Sequence, residues 1–385
     1  MHVLQTPVRF YPDVGGVESH VRELSSRLVD RDHAVTVLCA ETDDAPRRET
    51  VEGVSVVRLS SPCSIANTDL TPWLPVAAIR LARRVDIIHT HLPTPWSADI
   101  SALAGAVTGT PVVVTYHNDI VGDGIFDRVA GAYNATALRV TLRLADRIIV
   151  TRAEYAAESN LLPRYGSAVR TVRNGVDVER FQPSTVAPSE QRSIGLDPGS
   201  ETVFFLSVLD EYHGYKGLDV LLEAMAELAG RETDPPQLVV GGDGPRLEHY
   251  KSLARELGVA ELVTFVGYLA AGDVPTAYNA ADVFVLPSTS AKQEGFGLVA
   301  LEALACETPV ITTDIVGVAE EIADGGFGAV VSPNDPIGLA DAISAVLRDQ
   351  PDVHAGRQLC LEDYSWESSV DDLLGVYRSV LEAES

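Results

Sequence analysis

Lysine is nearly absent from this chain: Lys216, Lys251 and Lys292 are the only three among 385 residues, against 55 acids. A partner built on phosphate backbones calls for the opposite balance, and the formal charge of −26 argues against nucleic acid as a partner. Cysteine is scarce as well. Cys39, Cys63, Cys306 and Cys360 are dispersed without metal-like or paired spacing, so isolated reduced thiols and no structural zinc are expected. No run of residues approaches the ~18 consecutive apolar positions of a membrane span. The stretch from Met1 to Thr6 is too short for a secretory leader, so the expected location is the cytoplasm. At 46% hydrophobic content, the chain is long enough for two domains with real cores.

The charge that is present is unevenly placed. Residues 1–180 hold 19 arginines, no lysine and 21 acids, a net of −2, whereas the remainder holds 10 basic residues and 34 acids, a net of −24. Within the neutral part, residues 128–173 carry eight arginines against three acids, a local +5. Such a patch suits anionic lipid headgroups or a lipid-linked phosphate acceptor, at ~1 kcal/mol per basic residue near the surface. Arg139, Arg143 and Arg147 are assigned to this membrane or acceptor face, which would make the protein peripheral on the inner face of the membrane. Salt bridges to neighbouring acids are the alternative. The acid excess with so few lysines fits work in high salt, where self-repulsion is screened, as in a halophilic archaeal cytoplasm; an ordinary acidic enzyme is the rival reading.

Along the chain, short apolar runs alternate with amphipathic helical patterns. Strands are expected at His2 to Thr6, Ala34 to Cys39, Val54 to Leu59, Ile87 to His91, Val112 to Thr115, Arg147 to Thr151 and Val169 to Val172, with a helix over Val17 to Val29. The Pro-, Ser- and Gln-rich stretch from Phe181 to Pro198 reads as a linker. The cycle then restarts with strands at Val203 to Val208, Gln237 to Gly241, Val263 to Val266, Asp282 to Leu286 and Val310 to Thr312. Alternation of this kind calls for parallel, helix-covered sheets.

Chemistry concentrates at Glu294-Gly295-Phe296-Gly297-Leu298 and Glu302. The segment joins a strand ending at Pro287 to a helix starting near Leu298, with Glu302 expected about two turns into that helix. At such a junction glycines let backbone N–H groups approach a phosphate, and the helix N-terminus adds unpaired donors. Two acids beside a phosphate repel it, so they are better suited to neutral hydroxyls; a dipole-favoured carboxylate and a solvated glutamate are the alternative. Lys216, before a helical Leu218 to Leu222 run, is a compact charge suited to a leaving phosphate. His117 follows a strand at its carboxyl end, and Gly15-Gly16 opens a helix where bare backbone donors could meet a ligand; a structural histidine and a plain turn are the rivals. His89 and His91 share one strand face, but no further ligands are found for a metal there.

Glu294 and Glu302 around Gly295-Phe296-Gly297 resemble the E-x7-E signature of the retaining, two-Rossmann-domain glycosyltransferases of family 4. Gly15-Gly16-Val17-Glu18, Thr115-Tyr116-His117-Asn118, Asn174-Gly175-Val176-Asp177, Tyr215-Lys216-Gly217 and Gly241-Gly242-Asp243-Gly244-Pro245 match in order along nearly the whole chain. The resemblance implies a GT-B α/β fold, two doubly wound domains facing one cleft: an acceptor domain over 1–180, a linker over 181–198, a nucleotide-sugar domain over 199–360, and a final helix in 361–385 returning to the first domain. It further implies a nucleotide-diphosphate sugar as co-substrate, with no metal or other cofactor, and a lipid-linked or soluble hydroxyl acceptor. Gly15, Gly16, His213, Lys216, Glu294, Gly295, Phe296, Gly297, Leu298 and Glu302 would hold the donor. His117, Lys216 and Glu294 would act at the reacting centre. The pattern departs from the family at Ser207 to Tyr215, where an arginine is usual and none is present; His213 is the candidate to take part of its role. The pathway reading is assembly of a dolichol phosphate-linked glycan for surface-layer N-glycosylation. The alternatives are a soluble transferase making a compatible solute and a non-catalytic nucleotide-sugar-binding protein.

Overall fold

The computed structural model describes all residues except 14, 44, 66–67, 118–119, 121–124, 153–155, 157–158, 160, 292, 295 and 384–385. The chain divides into two compact units, Met1–Asn174 with Trp366–Ser385, and Gly175–Ser365. These divisions lie a few residues from the positions 180 and 360 read from the sequence. Among the described residues, no helix is long and apolar enough to cross a membrane.

In the first unit an eight-stranded sheet runs in the order Val169–Thr171, Arg147–Val150, Val112–Tyr116, Ile87–Leu92, His2–Thr6, Ala34–Ala40, Val54–Leu59 and Arg48–Val51. All pairs are parallel except the last, where Arg48–Val51 runs antiparallel to Val54–Leu59. Every residue of Val112–Tyr116 and Ile87–Leu92 is buried, as expected for strands covered on both faces. The helices Gly16–Asp30 and Trp366–Ala383 cover one face, through Val21, Leu24, Leu28, Leu373 and Tyr377 against Val3, Val37 and Val113. The helices Leu74–Ala82, Ser97–Thr108 and Ala137–Leu144 cover the other, through Ala78, Ala102 and Leu138 against Leu4, Ile88 and Val114.

The second unit holds six parallel strands in the order Val263–Gly267, Gln237–Gly241, Thr202–Leu206, Val283–Leu286, Val310–Thr313 and Gly328–Val331. Strand order reverses between Thr202–Leu206 and Val283–Leu286 here, and between His2–Thr6 and Ile87–Leu92 in the first unit. In doubly wound sheets such reversals open the crevice where ligands settle, outside the carboxyl ends of the strands.

The stretch read as a linker is folded instead. It contains the helix Pro188–Ser193 and buries Phe181, Ile194 and Leu196 in the core of the second unit, three apolar anchors that a polar composition conceals. Four short strands escaped the sequence reading: the edge strand Arg48–Val51, the two strands Cys63–Ile65 and Thr68–Leu70 of a hairpin, and Gly328–Val331. The first of these alternates exposed and half-buried residues and carries an arginine and a glutamate, so it lacks the apolar run that marks a buried strand.

Candidate active site

At the switch point of the second unit, the loop after Thr202–Leu206 meets the loop after Val283–Leu286. The Thr289 N–H donates to the Tyr215 carbonyl at 2.7 Å. Gly217 has φ +80°, and a Cβ there would fall 2.0 Å from the Pro287 carbonyl oxygen, so only glycine permits this approach. The contact carries Lys216 to Glu294. The Lys216 ammonium lies 3.1 Å from Glu294 Oε1 and 2.9 Å from Oε2, and Ser288 Oγ donates to Oε2 at 2.5 Å. Glu294 is 2% exposed. Burial pulls the lysine downward, but Glu294 and then Tyr215 outweigh it, so its pKa sits above the ordinary value and the ammonium stays charged at neutral pH.

Asp210 organises the start of the same loop. Its Oδ1 accepts the N–H groups of Tyr212 and His213 and lies 2.7 Å from His213 Nδ1, which fixes the imidazole with Nδ1 as donor. No arginine stands in this loop, yet one arrives from the next. The Leu209 N–H donates to the Asp243 carbonyl, the Arg246 N–H donates to the Leu209 carbonyl at 2.8 Å, and Arg246 Nη1 lies 2.8 Å from the position a Cβ on Gly214 would take. The guanidinium also stacks over Tyr250 at 5.0 Å, and among the described residues it forms no ion pair. Arg246 follows the Gly-Asp-Gly-Pro motif directly, a position the sequence reading passed over.

Glu302 is the fifth residue of the helix Leu298–Ala305, a little over one turn in rather than two, and its Oε2 accepts the Tyr278 hydroxyl at 2.9 Å. Gly297, φ +85°, caps that helix. Phe296 and Leu298, assigned to the donor by resemblance, send their side chains into the core, Phe296 against Tyr364 and Gly317. Gly295 lies outside the described residues.

Gly15, Gly16 and His117 belong to the first unit, whereas the Lys216–Glu294 cluster belongs to the second. Gly15 is the N-cap of the helix Gly16–Asp30, and a Cβ on it would meet the Glu18 carboxylate at 2.3 Å, which puts an acid over the turn read as an anion site. His117, itself half-buried, stands against the buried rings of His20 and His91, with His89 stacked behind His91. Burial draws His117 down to about 4 and His89 to about 3, so the rings are neutral. His20, on the helix after Gly15-Gly16, was not singled out from sequence. Arg139, Arg143 and Arg147 form no ion pair among the described residues; Arg147 donates to the Asp146 carbonyl.

Two doubly wound units, the second with a lysine–glutamate pair at its switch point, describe a GT-B glycosyltransferase. Residues 14–180 match the family model described as Glycosyltransferase Family 4, and residues 187–358 match that described as Glycosyl transferases group 1. The chain is 33% identical over 372 residues to D-inositol 3-phosphate glycosyltransferase 2 of Catenulispora acidiphila, covering 87% of this chain and 82% of the relative. It is 26% identical over 387 residues to an uncharacterised glycosyltransferase of Methanocaldococcus jannaschii, covering 96% and 95%. Among solved structures, sucrose-phosphate synthase of Thermosynechococcus elongatus has a TM-score of 0.77 at 23% identity over 99% of both chains. Anabaena HepE in complex with UDP gives 0.75 at 19% identity, over 98% of this chain and 100% of that one. The chain therefore belongs to the group 1, family 4-like glycosyltransferases, and it is an enzyme of sugar transfer.

Proposed function

We propose that the protein is a retaining hexosyltransferase that moves a sugar from a nucleotide-diphosphate donor to a hydroxyl acceptor. The observation that carries this reading is the Lys216–Glu294–Ser288 cluster at the switch point of the second unit. The Lys216 ammonium already meets both Glu294 oxygens and the Tyr215 side chain, so it reaches a diphosphate oxygen by exchanging one of these contacts. The pair is nearly neutral as a unit, and a departing diphosphate needs net positive charge. Arg246 supplies it in place of the arginine absent from the Ser207–Tyr215 loop, with His213 beside it and the N-terminus of the helix Leu298–Ala305 adding backbone donors.

Glu294, held by Lys216 and Ser288, presents its carboxylate to the sugar hydroxyls, and Glu302, steadied by Tyr278, holds the ribose. His117, in the first unit, keeps the role at the reacting centre that the family resemblance implies for it. As the family resemblance implies, the acceptor attacks from the face the diphosphate leaves, and the departing phosphate takes the acceptor proton. Catalysis is then positioning and electrostatics. HepE, whose solved complexes contain UDP and UDP-glucose, supports a nucleotide-sugar donor.

An anionic acceptor suits the arginine-rich 128–173 segment. A dolichol phosphate-linked glycan of surface-layer assembly, met at the membrane surface, is one form. The inositol phosphate in the names of relatives favours a soluble phosphorylated acceptor as the second. Flotation with anionic vesicles separates them: binding lost when Arg139, Arg143 and Arg147 are changed to Glu supports the lipid-linked form, and no binding by the native protein supports the soluble one.

A further inference from the structure

The hydrogen-bond order of the histidine cluster in the first unit follows from the orientation of the Gln5 amide. Tyr377 donates its hydroxyl to His89 Nδ1 at 2.6 Å, and Gln5 Nε2 donates to the same nitrogen at 3.3 Å. His89 Nε2 therefore carries the proton and donates to Thr115 Oγ1 at 2.7 Å, which leaves His89 with no free lone pair. The other end of the Gln5 amide, Oε1, accepts from His91 Nε2 at 2.9 Å. His91 is thereby held as the tautomer whose Nδ1 lone pair points away from Gln5, toward His117 Nε2 at 3.3 Å.

His20 closes the group. Its ring meets those of His117 and His91 edge-on at 4.8 and 5.9 Å, and it is 5% exposed. Its Nδ1 has no hydrogen-bond partner among the described residues. A buried polar atom left unpaired calls for a partner, a water or an ion, and here it stands beside two further imidazoles. His20, His91 and His117 each offer one ring nitrogen, all within 4.8 Å of one another.

We propose that His20, His91 and His117 form a binding site for one borderline divalent cation, with Zn2+ the best match. Three imidazoles and an open fourth position are a donor set this ion takes, at about 2.0–2.1 Å per nitrogen, so binding draws together nitrogens that lie up to 4.8 Å apart in its absence. The His91–Gln5 bond is the outer-shell contact that fixes a ligand's tautomer and direction. The rings are kept neutral by burial, and binding through His117 Nε2 requires only that its proton, now shared with His91 Nδ1, move to Nδ1. The site is not asked to take part in sugar transfer.

The test uses full-length, tag-free protein stripped with chelator, titrated with Zn2+ by calorimetry and with Co2+ by visible absorption. One equivalent should bind, and the Co2+ spectrum should show the intense d–d bands of a low-coordinate nitrogen site without a thiolate charge-transfer band. His20→Ala and His117→Asn, each checked for folding by circular dichroism, should weaken binding by more than the roughly 10–100-fold that loss of an outer-shell partner costs. His249→Gln and Cys63→Ser should leave it unchanged. Failure of the native protein to take up a stoichiometric ion overturns the proposal, whatever the variants do. So does binding that survives both histidine changes, or that is lost with Cys63 or His249.

Discussion

Lys216 and Glu294 hold each other in a place where neither is well solvated, and the asymmetry of buried ion pairs follows. Removing one partner leaves the other charged and buried, at a cost of about 3–5 kcal/mol, whereas replacing both is far milder. Lys216→Ala should therefore lower unfolding stability by about that amount, and Lys216→Met with Glu294→Gln should recover most of it, as read by denaturant titration. An unchanged midpoint in Lys216→Ala would mean that the pair is open in solution. The same pair sets a pH range. The folded-state value of Lys216 is raised above 10.5, so the contribution to stability is complete below about that pH and fades as pH rises through the folded-state value. Donor affinity should accordingly hold from pH 7 to 10; a decline between pH 8 and 9 would contradict the assignment. Lys216 and Glu294 were legible in the sequence because a scarce lysine and an acid in a glycine turn stand out. Their mutual grip was not, since 78 residues separate them and only the sheet order brings them together.

The elements that build the site are a pair of loops locked by one glycine. Gly217→Ala would place a methyl group against the Pro287 carbonyl and strain a positive φ at once. It should cost more than about 1 kcal/mol and weaken donor binding together with it, whereas Gly258→Ala, at φ +74° with open space around its Cβ, should cost only the backbone strain. Equal stability losses in the two variants would show that the loop contact does not matter. The alternation of strands and helices was legible at this scale because parallel strands covered on both faces are continuous apolar runs, as in Val112–Tyr116. Arg246 and His20 were not. Each acts through a neighbour distant in sequence, Gly214 for Arg246 and His91 for His20, and neither spacing forms a local pattern. Phe181, Ile194 and Leu196 were hidden for another reason, as single apolar residues spread among prolines, serines and glutamines.

For the whole molecule, the charge of −26 is concentrated after residue 180, in a segment that makes up most of the second unit. Self-repulsion on that scale is relieved by salt, because the Debye length shrinks from about 10 Å at 0.1 M to about 3 Å at 1 M. Thermal stability should rise with salt over this range, with the second unit responding more than the first; a melting curve independent of salt would contradict a high-salt adaptation. The central claim is the donor site, and calorimetric titration with UDP, GDP and their hexose conjugates in high salt tests it most directly, with Glu302→Ala and Arg246→Ala beside the native protein. The account predicts that the native protein binds one nucleotide series, that Arg246→Ala loses affinity for the diphosphate but not for the nucleoside monophosphate, and that Glu302→Ala weakens both. A native protein that binds none of these nucleotides, or variants that bind as it does, would contradict the placement of the donor at Lys216 and Glu294.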